Sequence, residues 1–178
     1  MNDSTIKEAL AYSLGSDLHE EWRAPRRLED GTFEPRMKKS KDEAWTAAHG
    51  TDDVDIANCT FAELPSNWQY ENLEAARVAV NLVYDGVVEA KQYTPEEIEM
   101  MASDVHEAWL QRNDWVFDPN YGNPAQAVPY LQLSEEEKAK DRVQVLAGIK
   151  KVQAYTRGEI DIESIMASYG IEPKGKTL

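Results

Sequence analysis

The chain is predicted to fold as an all-α protein. Apolar residues recur at three- and four-residue intervals along its long segments, and helix-start signals such as Thr94-Pro95-Glu96-Glu97 precede them. No alternating apolar and polar run of convincing strand length occurs. A first helix is expected over residues 5–14, ended by Gly15, with Ser16 capping a second that carries Leu18, Trp22 and Arg26 and is limited by Pro25. Residues 28–62 hold Gly31, Pro35, Gly50 and many charges, so they read as a long loop with one helical piece over 40–49. Ser66 or Asn67 caps a helix running to residue 91, whose face of Leu73, Ala76, Val80, Val83 and Val87 belongs in the core; Gly86 is expected to kink or end it near Asp85.

Thr94 as cap, Pro95 at the first helical position and Glu97 at the third form a capping box that opens a helix to residue 112, presenting Ile98, Met101, Val105 and Trp109 together. Residues 113–132 form an aromatic loop punctuated by Pro119, Gly122, Pro124 and Pro129. Ser134-Glu135-Glu136-Glu137 repeats the capping logic for a helix to residue 155 with Val143, Leu146, Ile149 and Val152 as its apolar stripe. Asp161 starts a short helix ending near Gly170, and the tail from residue 173 is expected to be mobile.

One signature occurs twice. Leu18-His19-Glu20-Glu21-Trp22 returns as Val105-His106-Glu107-Ala108-Trp109. Each copy is followed by a polar stretch, an aromatic-leucine element (Phe61-Ala62-Glu63-Leu64, then Tyr130-Leu131-Gln132-Leu133) and a charged helix start. A duplicated unit is the simplest reading, with a binding cleft expected between the halves. His19 and His106 are each followed by Glu, which stands about a hundred degrees round the helix and is no natural partner. Their repetition predicts that both bond loop backbone in the same way. Trp22 and Trp109, at helical spacing from other apolar residues, are assigned to the core.

The 178 residues are sufficient for one domain, and five Trp, eight Tyr and three Phe are enough to organise its core. No basic start with a signal-length apolar run occurs, and the longest apolar stretch, residues 79–84, is far too short for a bilayer. A lone Cys59 makes no internal disulfide and no metal cluster, which fits a cytoplasmic setting. A net charge of −14 opposes encounter with nucleic-acid duplexes and anionic membranes. Between Arg23 and Lys41, however, seven basic residues face three acidic ones, a local excess of +4.

The blocks Val105-His106-Glu107-Ala108-Trp109, Asn113-Asp114-Trp115-Val116-Phe117, Ala127-Val128-Pro129-Tyr130-Leu131-Gln132-Leu133 and Glu137-Lys138-Ala139-Lys140-Asp141-Arg142 resemble, in order, the RyR domain. That repeat is named from ryanodine receptors and is found alone in bacterial and phage proteins. A looser copy runs over residues 9–83. The resemblance implies a single domain over 1–178 built of two repeats, 5–90 and 94–170, packed about a pseudo-twofold axis. It also implies a ligand or interaction role, with adenine-nucleotide binding and, for bacterial relatives, reception of nucleotide-derived signals. Trp115 is carried over as the base-stacking residue, although Asp114 and Asp118 stand where glycines usually flank it. The first repeat carries an eighteen-residue insertion overlapping the basic stretch.

The candidate anion ligands are Arg26, Arg36, Lys38, Lys39 and Lys41, because phosphate needs converging N–H donors and Arg offers a planar fork; paired with neighbouring carboxylates, the same charges would be an ordinary solvated loop. Trp115 and Tyr121 could stack on a base whose edge Asn72 or Asp141 reads. No phosphate-cradling glycine motif, nucleophile elbow or metal-ligand spacing is present. The expectation is a non-enzymatic module for a nucleotide-type small molecule, needing no cofactor and no metal, as a monomer or homodimer. The rivals are a protein-interaction module with acidic helical faces and a nucleotide-processing enzyme relying on His19 or His106.

Overall fold

The structure, a computed structural model, describes residues 1–175. They form six α-helices and one small sheet: α1 (Asp3–Arg23), β1 (Met37–Lys39), α2 (Glu43–His49), β2 (Asp53–Asp55), α3 (Ser66–Val88), α4 (Pro95–Arg112), α5 (Glu135–Thr156) and α6 (Ile162–Tyr169). Predominantly α structure is therefore what the periodicity specifies. None of the helices is long and apolar enough to cross a membrane. The chain divides into two compact units, one of Met1–Glu74 with the segment from Ile162 on, the other Ala75–Asp161; the division falls within α3.

In the first unit, α1 runs unbroken where two helices were expected. Asn2 caps it by accepting from the Thr5 amide. Gly15 stays helical and buried, because a Cβ there would stand 3.1 Å from the Phe61 ring. The helix-weakening effect of glycine, about 0.5–1 kcal/mol against Ala, is offset by that close packing. The expected long loop contains a small sheet besides its short helix. Its β1 pairs antiparallel with β2, Lys38 opposite Val54, and Asp42 caps α2, which starts three residues later than the expected piece over 40–49. Buried Val54 holds this hairpin-like insertion to the unit. Arg23 is buried and donates from Nε to Ala57 O at 2.8 Å, while its guanidinium lies 4.1 Å from the Phe33 ring centre. The α6 helix packs on α1 through Tyr12 and Tyr169, whose ring centres are 5.0 Å apart. Of the tail, the described part is tied down: Lys174 N donates to Thr5 Oγ1 and Lys174 O accepts from Asn2. The rest of that predicted mobile segment, 176–178, lies outside the described residues.

In the second unit, the C-terminal part of α3 contributes Ala76, Val80, Val83 and Val87, all buried as its periodicity requires. Ser66 is its first helical residue rather than its cap, and the helix passes through Gly86 to Val88 without ending at Asp85. The capping box of Thr94 and Glu97 starts α4, which packs on α5. Ser134 caps α5 by accepting from Glu137 N. The stripe expected on α5 is corrected: Val143 and Leu146 are exposed, and the buried face holds Asp141, Val145, Gly148 and Val152. Gly148 is needed because a Cβ there would stand 3.2 Å from Ala79 of α3. Tyr130 is buried, with its hydroxyl donated to Glu99 at 2.6 Å; burial, then that bond, pushes the phenol up to about 12.

Candidate functional site

Each unit builds a small cavity on its copy of the His-Trp helix. In the first, α1 places His19 inward, where its Nε2–H is donated to Cys59 O at 2.8 Å; a carbonyl only accepts, so the neutral ring keeps its lone pair on Nδ1. Burial pushes the His19 pKa down, favouring that neutral form. Trp22, one turn on, stacks beside the imidazole with ring centres 5.7 Å apart. Trp68, near the start of α3, donates its indole N–H to Lys39 O at 2.9 Å. These residues, with Ile56, Leu64, Glu71 and Asn72, line a cavity of about 180 Å³. Two cations attend it: Arg26 lies 4.0 Å from the Trp22 ring centre and Lys38 Nζ 5.4 Å from that of Trp68. Both separations lie in cation–π range.

The second unit repeats the construction. His106 donates to Val128 O at 2.7 Å, and Trp109 stacks beside it at 6.1 Å. The duplicated histidines thus bond loop backbone in the same way, as expected from their repetition. Here His106, Trp109, Gln126, Glu137, Lys140, Asp141 and Gln144 line a cavity of about 120 Å³. The 69-residue offset that carries Phe61 to Tyr130 and Leu64 to Leu133 also carries Trp68, Glu71 and Asn72 to Glu137, Lys140 and Asp141. The same positions line both cavities, with their chemistry exchanged.

Asp141 is the most perturbed carboxyl of the pair of cavities. Burial pushes it up to about 6, opposed by His106, whose Nδ1 is 3.5 Å away. Because the folded value lies above the ordinary 3.8, this group's contribution to stability is complete at low pH and is lost as pH rises through about 6. Asp141→Asn is therefore expected to match the wild-type melting temperature near pH 4 and to exceed it by a few degrees at pH 7.5. Parallel melting curves across that range would contradict the assignment.

The structure distributes the predicted ligands unevenly. Asn72 lines the first cavity and Asp141 the second, while Arg26 and Lys38 lie outside the lining, over the rings of Trp22 and Trp68. The expectation of one anion seat in the basic stretch is corrected. Lys39 is paired with Asp53 at 2.6 Å and Asp52 at 3.0 Å, which hold its ammonium pKa above the ordinary range. Arg36 and Lys41 are exposed and outside the lining. Alternation along β1 separates Lys38 from Lys39, because successive side chains leave a strand on opposite faces; Arg36 and Lys41 lie outside that strand. Trp115 is 49% exposed, donates its indole N–H to Asn113 and meets Trp109 edge-on, while Tyr121 is 83% exposed; neither lines either His-Trp cavity. Trp22 and Trp109, expected in the core, are half-buried cavity walls. Trp68, Gln126, Glu137, Lys140 and Gln144 were not singled out from sequence, although superposing the two copies would have marked positions 68 and 137.

Scans of family models, curated proteins and solved structures return no significant match to this chain.

Proposed function

We propose that the chain is a non-enzymatic ligand-binding module of two RyR-type repeats whose first cavity receives a nucleotide or nucleotide-derived signal. The observation that carries this reading is a pair of indoles, Trp22 and Trp68, lining one cavity with a cation over each. A base stacks on an indole face for about 1–3 kcal/mol, and the Asn72 carboxamide offers one donor side and one acceptor side to its edge. At about 180 Å³ the cavity takes the base alone; sites for drug-sized ligands run to roughly 300–1,000 Å³. The phosphates then lie at the rim, where Arg26 and Lys38 exchange an aromatic face for an anion.

A thermal-shift screen with linear and cyclic adenine nucleotides tests this. Ligand at a hundred times its Kd stabilises by about 2.7 kcal/mol, so a rise of several degrees is expected, and replacing both Arg26 and Lys38 by Ala should remove most of it. No shift with any nucleotide at millimolar concentration overturns the reading.

A second reading is favoured by one surface. Met100 and Leu131, 70% and 83% exposed, flank Glu99 and Asp104 at a shallow concavity of about 350 Å³ in the second unit. Glu99 is already paired with Arg142, so the apolar patch edged by Asp104 is what suits a basic partner. Association that weakens with salt and with Leu131→Asp, in the absence of any nucleotide shift, would select it.

A further inference from the structure

We propose that the cavity of the second unit is a separate binding site for an organic cation of the guanidinium or primary-ammonium type, with the Asp141 carboxylate as its counter-ion and the Trp109 ring as its flat wall. This goes beyond the nucleotide reading and does not rest on it. Asp141 is only 8% exposed, lines the cavity, and accepts no hydrogen bond among the described residues. An ionised carboxylate has room for about four donors, and since no fully buried side-chain oxygen among the described residues lacks a partner, the open acceptor positions of Asp141 face the cavity. His106 Nδ1, 3.5 Å from its Oδ2, is beyond good hydrogen-bond distance, and the other ring nitrogen is committed to Val128 O. A group bringing two parallel N–H donors and a positive charge supplies what this carboxylate lacks.

The remaining charges leave the cavity floor negative. From α5, Lys140 is paired with Glu137 at 2.8 Å, and Glu137 also accepts from Gln126 at 3.2 Å, so the lysine's charge is already matched. From α4, His106 is the titratable group facing Asp141. Trp109 offers the aromatic face on which guanidinium stacks most readily. A volume of about 120 Å³ admits one such head group on a short alkyl stem. The first cavity has Asn72 at the equivalent position and Trp68 in place of Glu137, and its lining carboxylate, Glu71, stands where the second cavity has Lys140. The elevated pKa of Asp141 accords with a site whose ionised form awaits a partner.

Isothermal titration of the whole chain with methylguanidinium chloride, and with its neutral isostere N-methylurea, tests the proposal at pH 7.5. One saturable site of roughly millimolar affinity is expected for the cation, with N-methylurea at least tenfold weaker. Asp141→Asn should weaken cation binding at least tenfold, and lowering the pH to 5.0 should weaken it about tenfold as the carboxyl takes up a proton. A blocked Gly-Arg-Gly peptide in place of methylguanidinium distinguishes sources: tighter binding assigns the site to an arginine side chain, weaker binding to a free cation, and both uphold it. Absence of saturable heat, equal affinity for the two isosteres, or binding unaltered by Asp141→Asn overturns the proposal. Should Asp141→Asn fail to fold, the comparison of the two isosteres on the wild type decides alone.

Discussion

Phe61→Ala is expected to lower the unfolding free energy by about 3–5 kcal/mol, the cost typical of deleting a buried phenyl ring. The side chain is fully buried, and two helices of the first unit, α1 and α6, converge on it. Its ring lies 3.1 Å from the place a Gly15 side chain would occupy, 5.9 Å from the Tyr169 ring centre and 6.5 Å from that of His19. Removing it leaves a void between α1, α6 and the 3-10 turn Phe61–Glu63, and Gly15 has no side chain with which to fill it. Urea denaturation should show a fall in midpoint with an unchanged slope. A loss below about 1 kcal/mol would mean that the site collapses freely, contrary to close packing around Gly15.

Trp68→Ala is expected to weaken adenine-nucleotide binding by roughly 10- to 100-fold, within the 1–3 kcal/mol of one base–aromatic stack. Two effects coincide at this side chain. The ring is one wall of the first cavity, and its indole N–H holds Lys39 O, which fixes the strand from which Lys38 reaches over the ring. Trp115→Ala, by contrast, should change affinity by less than about twofold, because that indole is outside the cavity and bound to Asn113. Titration calorimetry of the two variants separates them, and the reverse ranking would move the site to the aromatic loop.

What the sequence disclosed, and what it hid, has physical causes. The start of α4 was legible because its signals are local: Thr94, Pro95 and Glu97 act on their own turn. The paired histidine bonds were legible because one motif occurs twice. Gly15 misled, since local propensity argues for a helix end while contact with Phe61, 46 positions away, decides for continuation. On α5, counting apolar residues chose Val143 and Leu146, but the face turned inward is built from Asp141, Val145 and Gly148, and includes a carboxylate and a glycine that apolar counting passes over. The basic stretch summed to +4 on paper, yet folding into β1 sends Lys38 to the Trp68 ring and Lys39 to Asp52 and Asp53. Charge excess is a property of a segment, whereas an anion site needs side chains on one face.

The indole N–H signals of the five tryptophans give the most direct test. In proton–nitrogen correlation spectra titrated with ADP, the signals of Trp22 and Trp68 should shift progressively and saturate together, while Trp45 and Trp115 hold their positions. Five unmoved indoles at millimolar ADP, or a saturating shift confined to Trp115, would contradict nucleotide binding in the first cavity.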